Sequence, residues 1–321
     1  MSILDQLRTM TTVVADTGDI NAIAQHRPQD ATTNPSLIAK AAQQPEYADL
    51  IHDAVAFGRQ QSGDSAARLE ATLDKLFVNF GVKILGIIPG RVSTEVDARL
   101  SFDLHGSLNK AHRLIRLYED AGIGRERILI KLASTWEGMR VAELLERESI
   151  HTNMTLMFCL CQAVAAAKVN ATLISPFVGR IYDWYCKDKG VKDIPIADDP
   201  GVSSVREIHT YLKKFGHPVQ VMGASFRKAD QIVALAGCDL LTIAPDLLVE
   251  LQQREGKLVR ALDANAARSA DVKHIDIDEP TFRWMLNEDA MATEKLADGI
   301  RRFNADLNKL RQQVAKQLTH A

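Results

Sequence analysis

The sequence has few cysteines, no long apolar run and almost no net charge. Its 321 residues include four cysteines, and 39 basic side chains nearly balance 41 acidic ones. No apolar run approaches the roughly 18 residues that a membrane-spanning helix needs, so we expect no membrane partner. A chain with balanced charge has no excess of basic residues to bind nucleic acid, so we expect no nucleic-acid partner either.

The amino terminus lacks the apolar segment of a secretory signal, because Asp5 and Arg8 interrupt it. Together with the low cysteine content, this predicts a cytoplasmic protein with free thiols. The segment instead predicts a short helix that begins at Ser2, with Asp5 three residues later as in a capping box.

Common nucleotide-binding and hydrolase motifs are also missing. The sequence has no GxxxxGK[ST], no GxSxG, and no GxGxxG that opens a helix after a strand. Cys159 and Cys161 lack a second cysteine pair or a nearby histidine cluster, so we predict no metal site.

What the sequence does have is an alternation of short apolar runs with longer segments of helical periodicity. This alternation is typical of parallel βα units, and eight strand candidates predict a closed (β/α)8 barrel. The predicted strands are Thr11–Asp16, Asp30–Asn34, Val92–Asp97, Ile128–Ala133, Thr152–Met157, Ala171–Pro176, Val219–Ser225 and Leu240–Ala244.

We predict one domain over residues 1–321, with extra helices around the barrel. The connection Pro35–Arg91 is long enough for two or more helices. From Thr281 onward, apolar residues recur every three or four positions, which predicts a long C-terminal helix docked on the barrel. A coiled-coil contact with a partner is the alternative for that face, and Leu262–Ile277 is left unassigned.

Polar residues stand near the ends of seven predicted strands, on the faces that point into the barrel. Lys131 shares a strand face with Leu129, opposite the apolar face of Ile128, Ile130 and Leu132. The other polar side chains of this kind are Asp16, Asn34, Glu95, Asp97, Asn153, Thr155, Ser175 and Ser225. Buried polar groups are costly unless they bond to one another or to a ligand, so the set predicts an active site at the carboxyl end of the strands.

Lys131 is the most informative member of this set. Burial disfavours a charged ammonium, and a free amine attacks a carbonyl to form a Schiff base. The alternative is a purely structural ion pair with Glu95 or Asp97. A Schiff base on a ketose also needs a carboxylate and a water to move protons, which Glu95 and Thr155 could hold, and a second carboxylate such as Asp16. The protonated imine is the electron sink, so we expect no cofactor.

Three further residues predict a phosphate site. Arg180, Ser225 and Arg227 follow the sixth and seventh strands. Guanidinium groups bind phosphate through paired hydrogen bonds, and phosphates on barrels often lie near the last loops. Asn34 and Asn153 have amides that suit sugar hydroxyls.

The segments around these residues resemble the transaldolases of the longer bacterial and eukaryotic type. The matching segments are TTVVADTGD (11–19), QDATTNPSLI (29–38), PGRVSTEVDARLS (89–101), ILIKLASTWEG (128–138), NMTLMF (153–158), ISPFVGRIYDWY (174–185), DPGVSSV (199–205), VMGASFR (221–227) and GCDLLTIAP (237–245). The resemblance covers Thr11 to about Leu251 and is weaker over Phe282–Ile300.

The resemblance implies a cofactor-independent transferase of the non-oxidative pentose phosphate pathway. It would move a dihydroxyacetone unit from sedoheptulose 7-phosphate to glyceraldehyde 3-phosphate, giving erythrose 4-phosphate and fructose 6-phosphate. It makes Lys131 the Schiff-base lysine, Asp16 the acid/base, and Glu95 with Thr155 the holders of the catalytic water. Asn34, Asn153 and Ser175 would contact the sugar, Phe177 would exclude water, and Arg180, Ser225 and Arg227 would hold the phosphate. It also implies a homodimer.

Two other functions stay open at this point. One is a fructose 6-phosphate aldolase that hydrolyses the same imine and releases free dihydroxyacetone. The other is a catalytically inactive barrel that only binds sugar phosphates. The family usually has a serine and small residues after Phe158, where this chain has Cys159, Leu160 and Cys161.

Overall fold

Eight parallel strands close into a barrel in the computed structural model, which describes residues 1–319. Each strand pairs with the next along the chain, and the eighth pairs with the first. The strands are β1 Thr12–Asp16, β2 Asp30–Thr32, β3 Val92–Glu95, β4 Ile128–Ala133, β5 His151–Met157, β6 Leu173–Pro176, β7 Gln220–Gly223 and β8 Leu240–Ile243. The predicted (β/α)8 barrel is confirmed, with strand ends that differ by one or two residues from the predictions.

Helices surround the barrel and connect its strands. They are α1 Ile3–Arg8, α2 Ile20–His26, α3 Pro35–Ala41, α4 Ala48–Gln60, α5 Ser65–Leu85, α6 Leu104–Asp120, α7 Trp136–Arg147, α8 Leu160–Lys168, α9 Gly179–Asp188, α10 Pro200–Lys214, α11 Ala229–Val233, α12 Pro245–Gln253, α13 Ala264–Arg268, α14 Glu279–Glu288 and α15 Ala290–Thr319. No helix within residues 1–319 is long and apolar enough to cross a bilayer.

Local sequence explains several helix starts. The Ser2 hydroxyl accepts from the Asp5 backbone N–H, and the Asp5 carboxylate accepts from the Ser2 backbone N–H. This is the predicted capping box. Asp19 and Thr135 cap α2 and α7 in a similar way, because each side-chain oxygen accepts from an otherwise unpaired backbone N–H.

The long connection between β2 and β3 contains three helices, as its length predicts. These are α3, α4 and the 21-residue α5, and α4 packs along α5. The polar stretch Lys187–Asp199 belongs to a later connection, between β6 and β7. It begins within α9 and leads to α10, so it lies one helix away from β6.

Alternation along the strands separates an outer core from a small inner core. Ile128, Ile130 and Leu132 face the helices and belong to the large outer core. The inner core is a separate layer inside the barrel, made of Val14, Leu129, Leu173, Met222 and Leu240. Since Lys131 has the same parity as Leu129, it points inward directly above this apolar layer.

The fifth strand departs from the expected alternation. The sequence predicts that Leu156 faces outward with Met154, but the pairing of β5 with β6 shifts register between Met154 and Met157. Met154 and Met157 both lie in the outer core, whereas Leu156 packs with Phe158 and Phe177 at the mouth of the barrel. Leu156 has a φ of +54°, a left-handed conformation that costs energy for a residue with a side chain.

The C-terminal tail forms two helices rather than one continuous helix from Thr281. The break falls at Asp289, whose carboxylate accepts from the Ala292 backbone N–H and caps α15. Helix α15 packs against α3, α4, α5 and α9, so the prediction that the long helix docks on its own barrel is confirmed. Its Phe303 reaches the carboxyl end of the strands.

The outer core predicts the effect of truncating Ile130. This side chain is fully buried, so Ile130→Ala should lower the free energy of unfolding by about 2–5 kcal/mol. Val259→Ala is the matched control, because Val259 is 68% exposed and its loss should change stability by less than about 0.5 kcal/mol. Urea unfolding measures both, and equal effects would contradict this view of β4.

Candidate active site

A cavity of about 80 Å³ opens at the carboxyl end of the strands. Its lining combines acidic, basic, amide, hydroxyl and aromatic groups. The lining residues are Asp16, Thr32, Asn34, Lys131, Thr155, Ser175, Phe177, Arg180, Met222, Ala224, Ser225, Thr242 and Phe303. Eight of the eleven residues that the sequence predicts therefore line one cavity; Glu95, Asn153 and Arg227 lie next to members of it.

A larger depression of about 900 Å³ lies at the opposite end of the barrel. It is lined by residues such as Arg8, Arg27 and Lys213, and by none of the predicted site residues. Size therefore does not identify the active site here. The convergence of buried polar groups makes the cavity at the carboxyl end the candidate instead.

Lys131 is buried near the end of β4, with only 5% of its surface exposed. Its Nζ lies 3.3 Å from Glu95 Oε2 and donates to the Thr33 carbonyl oxygen at 3.3 Å. The ion pair with Glu95 that we considered as an alternative is therefore present. It does not exclude a catalytic role, because the same amine also lines the cavity.

Strand register explains why these groups meet. Glu95 on β3 is in register with Lys131 on β4, and Lys131 is in register with Asn153 on β5. One row of the barrel thus carries a carboxylate, an amine and an amide side by side. The Asn153 amide donates to Ser93 Oγ at 3.0 Å and accepts from the Ser175 hydroxyl, which fixes its orientation.

Two buried oxygens in this region form no hydrogen bond within residues 1–319, although one of them, Glu95 Oε2, lies 3.3 Å from Lys131 Nζ in the ion pair. They are Glu95 Oε2 and Thr155 Oγ1, and Thr155 is fully buried. Thr155 lies one pleat beyond Asn153 on the same inward face, beside the lysine strand. Buried polar atoms are normally satisfied, so this pair is suited to hold a water or a substrate hydroxyl.

Both carboxylic acids of the site are held closer to their neutral form than usual. Burial is the main cause that raises the pKa of Glu95, and the charge of Lys131 opposes it. Burial likewise raises the pKa of Asp16, again against the charge of Lys131. Carboxyl groups that gain and lose a proton more readily near neutral pH are suited to acid/base work.

Asp16 ends β1 and is held by neighbouring hydroxyl groups. Its Oδ1 accepts from Thr32 Oγ1 at 3.3 Å, and Thr32 Oγ1 lies 3.1 Å from Thr242 Oγ1. Asn34 follows β2 and caps α3, because its Oδ1 accepts from the Leu37 backbone N–H at 2.9 Å. The cap leaves the amide NH₂ of Asn34 for the cavity that this residue lines.

Arg180 lies between two aromatic rings at the edge of the cavity. Its guanidinium carbon is 4.8 Å from the Phe177 ring centroid and 5.3 Å from that of Phe303. Its Nη1 is buried and has no hydrogen-bond partner in the described part of the chain. Burial, followed by the charges of Arg227 and Arg302, lowers the pKa of Arg180. Because arginine stays charged in proteins, an anion would relieve this repulsion.

Arg227 is placed differently from Arg180. It is exposed, and its Nε and Nη2 donate to the Asp183 carboxylate, with a shortest distance of 2.7 Å. Its Nη1 lies 3.4 Å from the Ser225 hydroxyl. Ser225 follows β7 with a φ of +61°. The structure therefore brings Ser225 and Arg180 to the cavity wall, and Arg227 stands behind Ser225.

Sequence reasoning missed five residues that line the cavity, namely Thr32, Met222, Ala224, Thr242 and Phe303. Thr32 and Thr242 are inward residues of β2 and β8, so strand parity could have found both. Phe303 lies on α15, where helical periodicity predicted only a docking face. The neighbouring Arg302 is exposed and acts on Arg180 only through its charge. No local pattern indicated that this helix crosses the mouth of the barrel.

Comparisons with known proteins agree on one family. A family profile described as Transaldolase/Fructose-6-phosphate aldolase matches residues 13–314. The chain is 55% identical to the human protein named Transaldolase over 321 residues, which cover 100% of this chain and 95% of the relative. It is also 55% identical to the bovine Transaldolase over 319 residues, or 99% of this chain and 95% of the relative. The rat Transaldolase is 54% identical, with 100% and 95% covered.

The raised pKa of Asp16 predicts how Asp16→Asn alters stability with pH. A buried acid with a raised pKa stabilises the folded state below its usual value of 3.8 and loses that contribution as pH rises through the folded pKa. Asn removes this loss and keeps an acceptor for Thr32. We expect the variant to be more stable than the parent at pH 8 and equal to it near pH 3.

Urea unfolding across this pH range measures the effect, with Asp246→Asn on an exposed helix position as the control. A variant that is less stable at pH 8 would contradict the effect of burial on Asp16.

Proposed function

This chain belongs to the transaldolase/fructose-6-phosphate aldolase family, and we propose that Lys131 carries a dihydroxyacetone unit as a Schiff base. Its reaction is the transferase reaction of transaldolases. A dihydroxyacetone unit moves from sedoheptulose 7-phosphate to glyceraldehyde 3-phosphate, which yields erythrose 4-phosphate and fructose 6-phosphate. The observation that carries the proposal is the buried Lys131 amine, 3.3 Å from Glu95 and open to the cavity.

Schiff-base formation begins when the Lys131 amine attacks the ketone carbon of the donor. The resulting carbinolamine must lose its hydroxyl as water, which needs a proton delivered to that oxygen. Glu95 is in contact with the amine, and its raised pKa keeps a proton available. The water through which this proton moves would be held by Thr155 Oγ1, which has no hydrogen-bond partner within residues 1–319, and by Glu95 Oε2, which lies 3.3 Å from the Lys131 amine.

Bond cleavage uses the second carboxyl group. Asp16 takes the proton from the donor hydroxyl next to the breaking carbon–carbon bond, and the aldehyde product leaves. The electron pair of the broken bond is held by the protonated imine on Lys131. When the acceptor aldehyde binds, the carbon adds to it and Asp16 returns the proton to the new hydroxyl.

The remaining residues orient the sugar and its phosphate. Asn34, Asn153 and Ser175 present amide and hydroxyl groups to the sugar hydroxyls on the same side as Lys131. Arg180 offers a buried unpaired N–H at the far edge of the cavity, and Ser225 offers a hydroxyl beside it. Arg227 lies next to Ser225 and adds its positive charge to this end of the cavity.

In this proposal, Phe177 favours transfer of the imine intermediate to the acceptor over its hydrolysis. Its ring is 6% exposed, lines the cavity, and packs on Phe158 with 5.4 Å between ring centroids. An apolar wall next to the imine limits the access of water, so the intermediate waits for the acceptor. The alternative of an aldolase that releases dihydroxyacetone is not favoured, since the named relatives are transaldolases.

We also propose that the protein is a single-domain enzyme that acts in the cytoplasm as a homodimer. The support for this part is the kinship with transaldolases, and the near-neutral composition of the sequence is compatible with it. Sedimentation velocity at micromolar concentration measures the oligomeric state.

The Schiff base predicts covalent trapping on one residue. Fructose 6-phosphate followed by borohydride should reduce the imine and attach a three-carbon unit or the intact sugar to Lys131, with irreversible loss of activity. Peptide mass spectrometry locates the adduct. Lys131→Met should give no adduct and lower kcat by at least about 1,000-fold.

Lys213→Met is the control for a nonspecific reaction, because Lys213 pairs with Asp239 away from the cavity. An active enzyme without an adduct on Lys131 would refute the mechanism. Release of free dihydroxyacetone in the absence of acceptor, at a rate close to that of transfer, would favour the aldolase instead.

The proposed phosphate site predicts that two arginines differ in their effect on KM. Arg180→Ala removes a buried N–H that has no partner within residues 1–319, so KM for fructose 6-phosphate should rise by about 10- to 100-fold. Arg227→Ala should raise KM less, because Asp183 already engages two of its nitrogens. Unphosphorylated fructose should be affected little in either case.

Steady-state kinetics with both donors measure the ranking. Arg254→Ala is the control, since Arg254 pairs with Asp230 on the surface. An equal loss for the two donors would remove that arginine from the phosphate site.

A further inference from the structure

Two cysteines that the proposed mechanism does not use lie in direct contact. The Sγ atoms of Cys159 and Cys161 are 3.3 Å apart. The contact follows from local structure, because Cys159 is the residue before α8 in extended conformation and Cys161 is in the first turn of that helix. Gln162 holds this arrangement, since its Oε1 accepts from the backbone N–H groups of Phe158 and Cys159.

A surface groove gives this pair access to small solutes. The groove has a volume of about 620 Å³ and is separate from the sugar-phosphate cavity. It is lined by both cysteines together with residues that include Tyr185, Glu207 and Asp289. Cys159 is partly exposed and Cys161 is 3% exposed, so Cys159 is the sulfur that a solute meets first.

The other two cysteines have no such arrangement. Cys238 is fully buried, and its thiol donates to the Val221 carbonyl oxygen at 3.2 Å. Burial raises the pKa of Cys238 to about 12. Cys186 is partly exposed on α9. Among the cysteines within residues 1–319, only the pair at the start of α8 combines a sulfur–sulfur contact with access from solvent.

We propose that Cys159 and Cys161 form a dithiol modification site that closes to an intramolecular disulfide when a hydroperoxide oxidises it. A disulfide bond is about 2.05 Å long, so the two sulfurs need to approach by about 1.3 Å. Both lie within three consecutive residues, so side-chain rotation at the start of α8 supplies most of this movement.

The reaction balances without any further reactant. The Cys159 thiolate attacks one oxygen of the hydroperoxide, the O–O bond breaks, and an alcohol leaves after taking up a proton. The Cys161 thiolate then attacks the sulfur of the resulting sulfenic acid and displaces hydroxide, which is protonated to water. In total two thiols and one hydroperoxide give one disulfide, one alcohol and one water.

Protonation controls the rate of this reaction. The hydrogen bond with Cys161, followed by burial, raises the pKa of Cys159 well above its usual value of 9.0. The carboxylates of Asp289 and Glu207, as well as the Tyr185 hydroxyl, line the same groove, and negative charge there opposes a thiolate. The thiolate is the reactive form, so oxidation should become about tenfold faster per pH unit between pH 7 and 9.

The test uses the full-length chain with Cys186→Ser, which removes the exposed cysteine outside the pair. The protein is treated with hydrogen peroxide at pH 7, 8 and 9, then with iodoacetamide under denaturing conditions, and analysed by intact mass. We expect a product in which two thiols resist alkylation, with a peptide that contains Cys159 and Cys161 about 2 Da lighter and restored by dithiothreitol.

Two single variants in the same background separate a disulfide from other oxidation. Cys161→Ala should oxidise at Cys159 to sulfenic or sulfinic acid and gain about 16 or 32 Da. Cys159→Ser, which places a favourable capping residue at the helix start, should leave Cys161 unmodified under the same treatment. Circular dichroism verifies that each variant is folded.

Sulfinic acid at Cys159 in the parent protein, without the lighter peptide, would overturn the proposal. Full alkylation of both thiols after treatment at pH 9 would overturn it as well.

Discussion

The contact between the Lys131 amine and the Glu95 carboxyl group is the interaction on which the site depends. Both groups are buried, so each is costly alone and tolerable only beside the other. The register of β3, β4 and β5 places them in one row with Asn153. The same contact therefore stabilises two buried charged groups and leaves the amine available for chemistry, because the amine still faces the cavity.

Around this pair, the barrel divides its interior into two zones. Below Lys131, the inner core of apolar side chains excludes water. Above it lie hydroxyl, amide and guanidinium groups, and two of these, on Thr155 and Arg180, have an atom without a hydrogen-bond partner within residues 1–319. Strained backbone at Leu156 and Ser225 borders the upper zone. Strain of this kind persists only where the surroundings enforce it. Here Leu156 packs with Phe158 and Phe177 at the mouth of the barrel, and Ser225 lines the cavity.

Helix α15 completes the site from outside the barrel. Arg311 joins it to Asp97 at 3.0 Å, two residues beyond Glu95, and its Phe303 covers Arg180. The helix therefore links the Arg180 edge of the cavity to the loop that follows β3, the strand that carries Glu95. The thiol pair stands apart on α8, in its own groove. It is connected to the cavity through Phe158, whose ring packs on Phe177.

The sequence alone determined the barrel, its strand order and the inward face of most strands, because a period of two along a strand and the alternation with helices are local properties. For the same reason it predicted that Lys131, Glu95 and Asp16 point into the barrel, whereas Arg180 was predicted from its guanidinium and its place after the sixth strand. Tertiary structure decided what depends on distant contacts. Three features depend on contacts between segments that are distant in sequence, which no local pattern predicts. They are the shifted register at Leu156, the position of Phe303 over the mouth of the barrel and the ion pair of Arg227 with Asp183. Even the short spacing of Cys159 and Cys161 predicted no contact, since only the helix start directs both sulfurs to the same side.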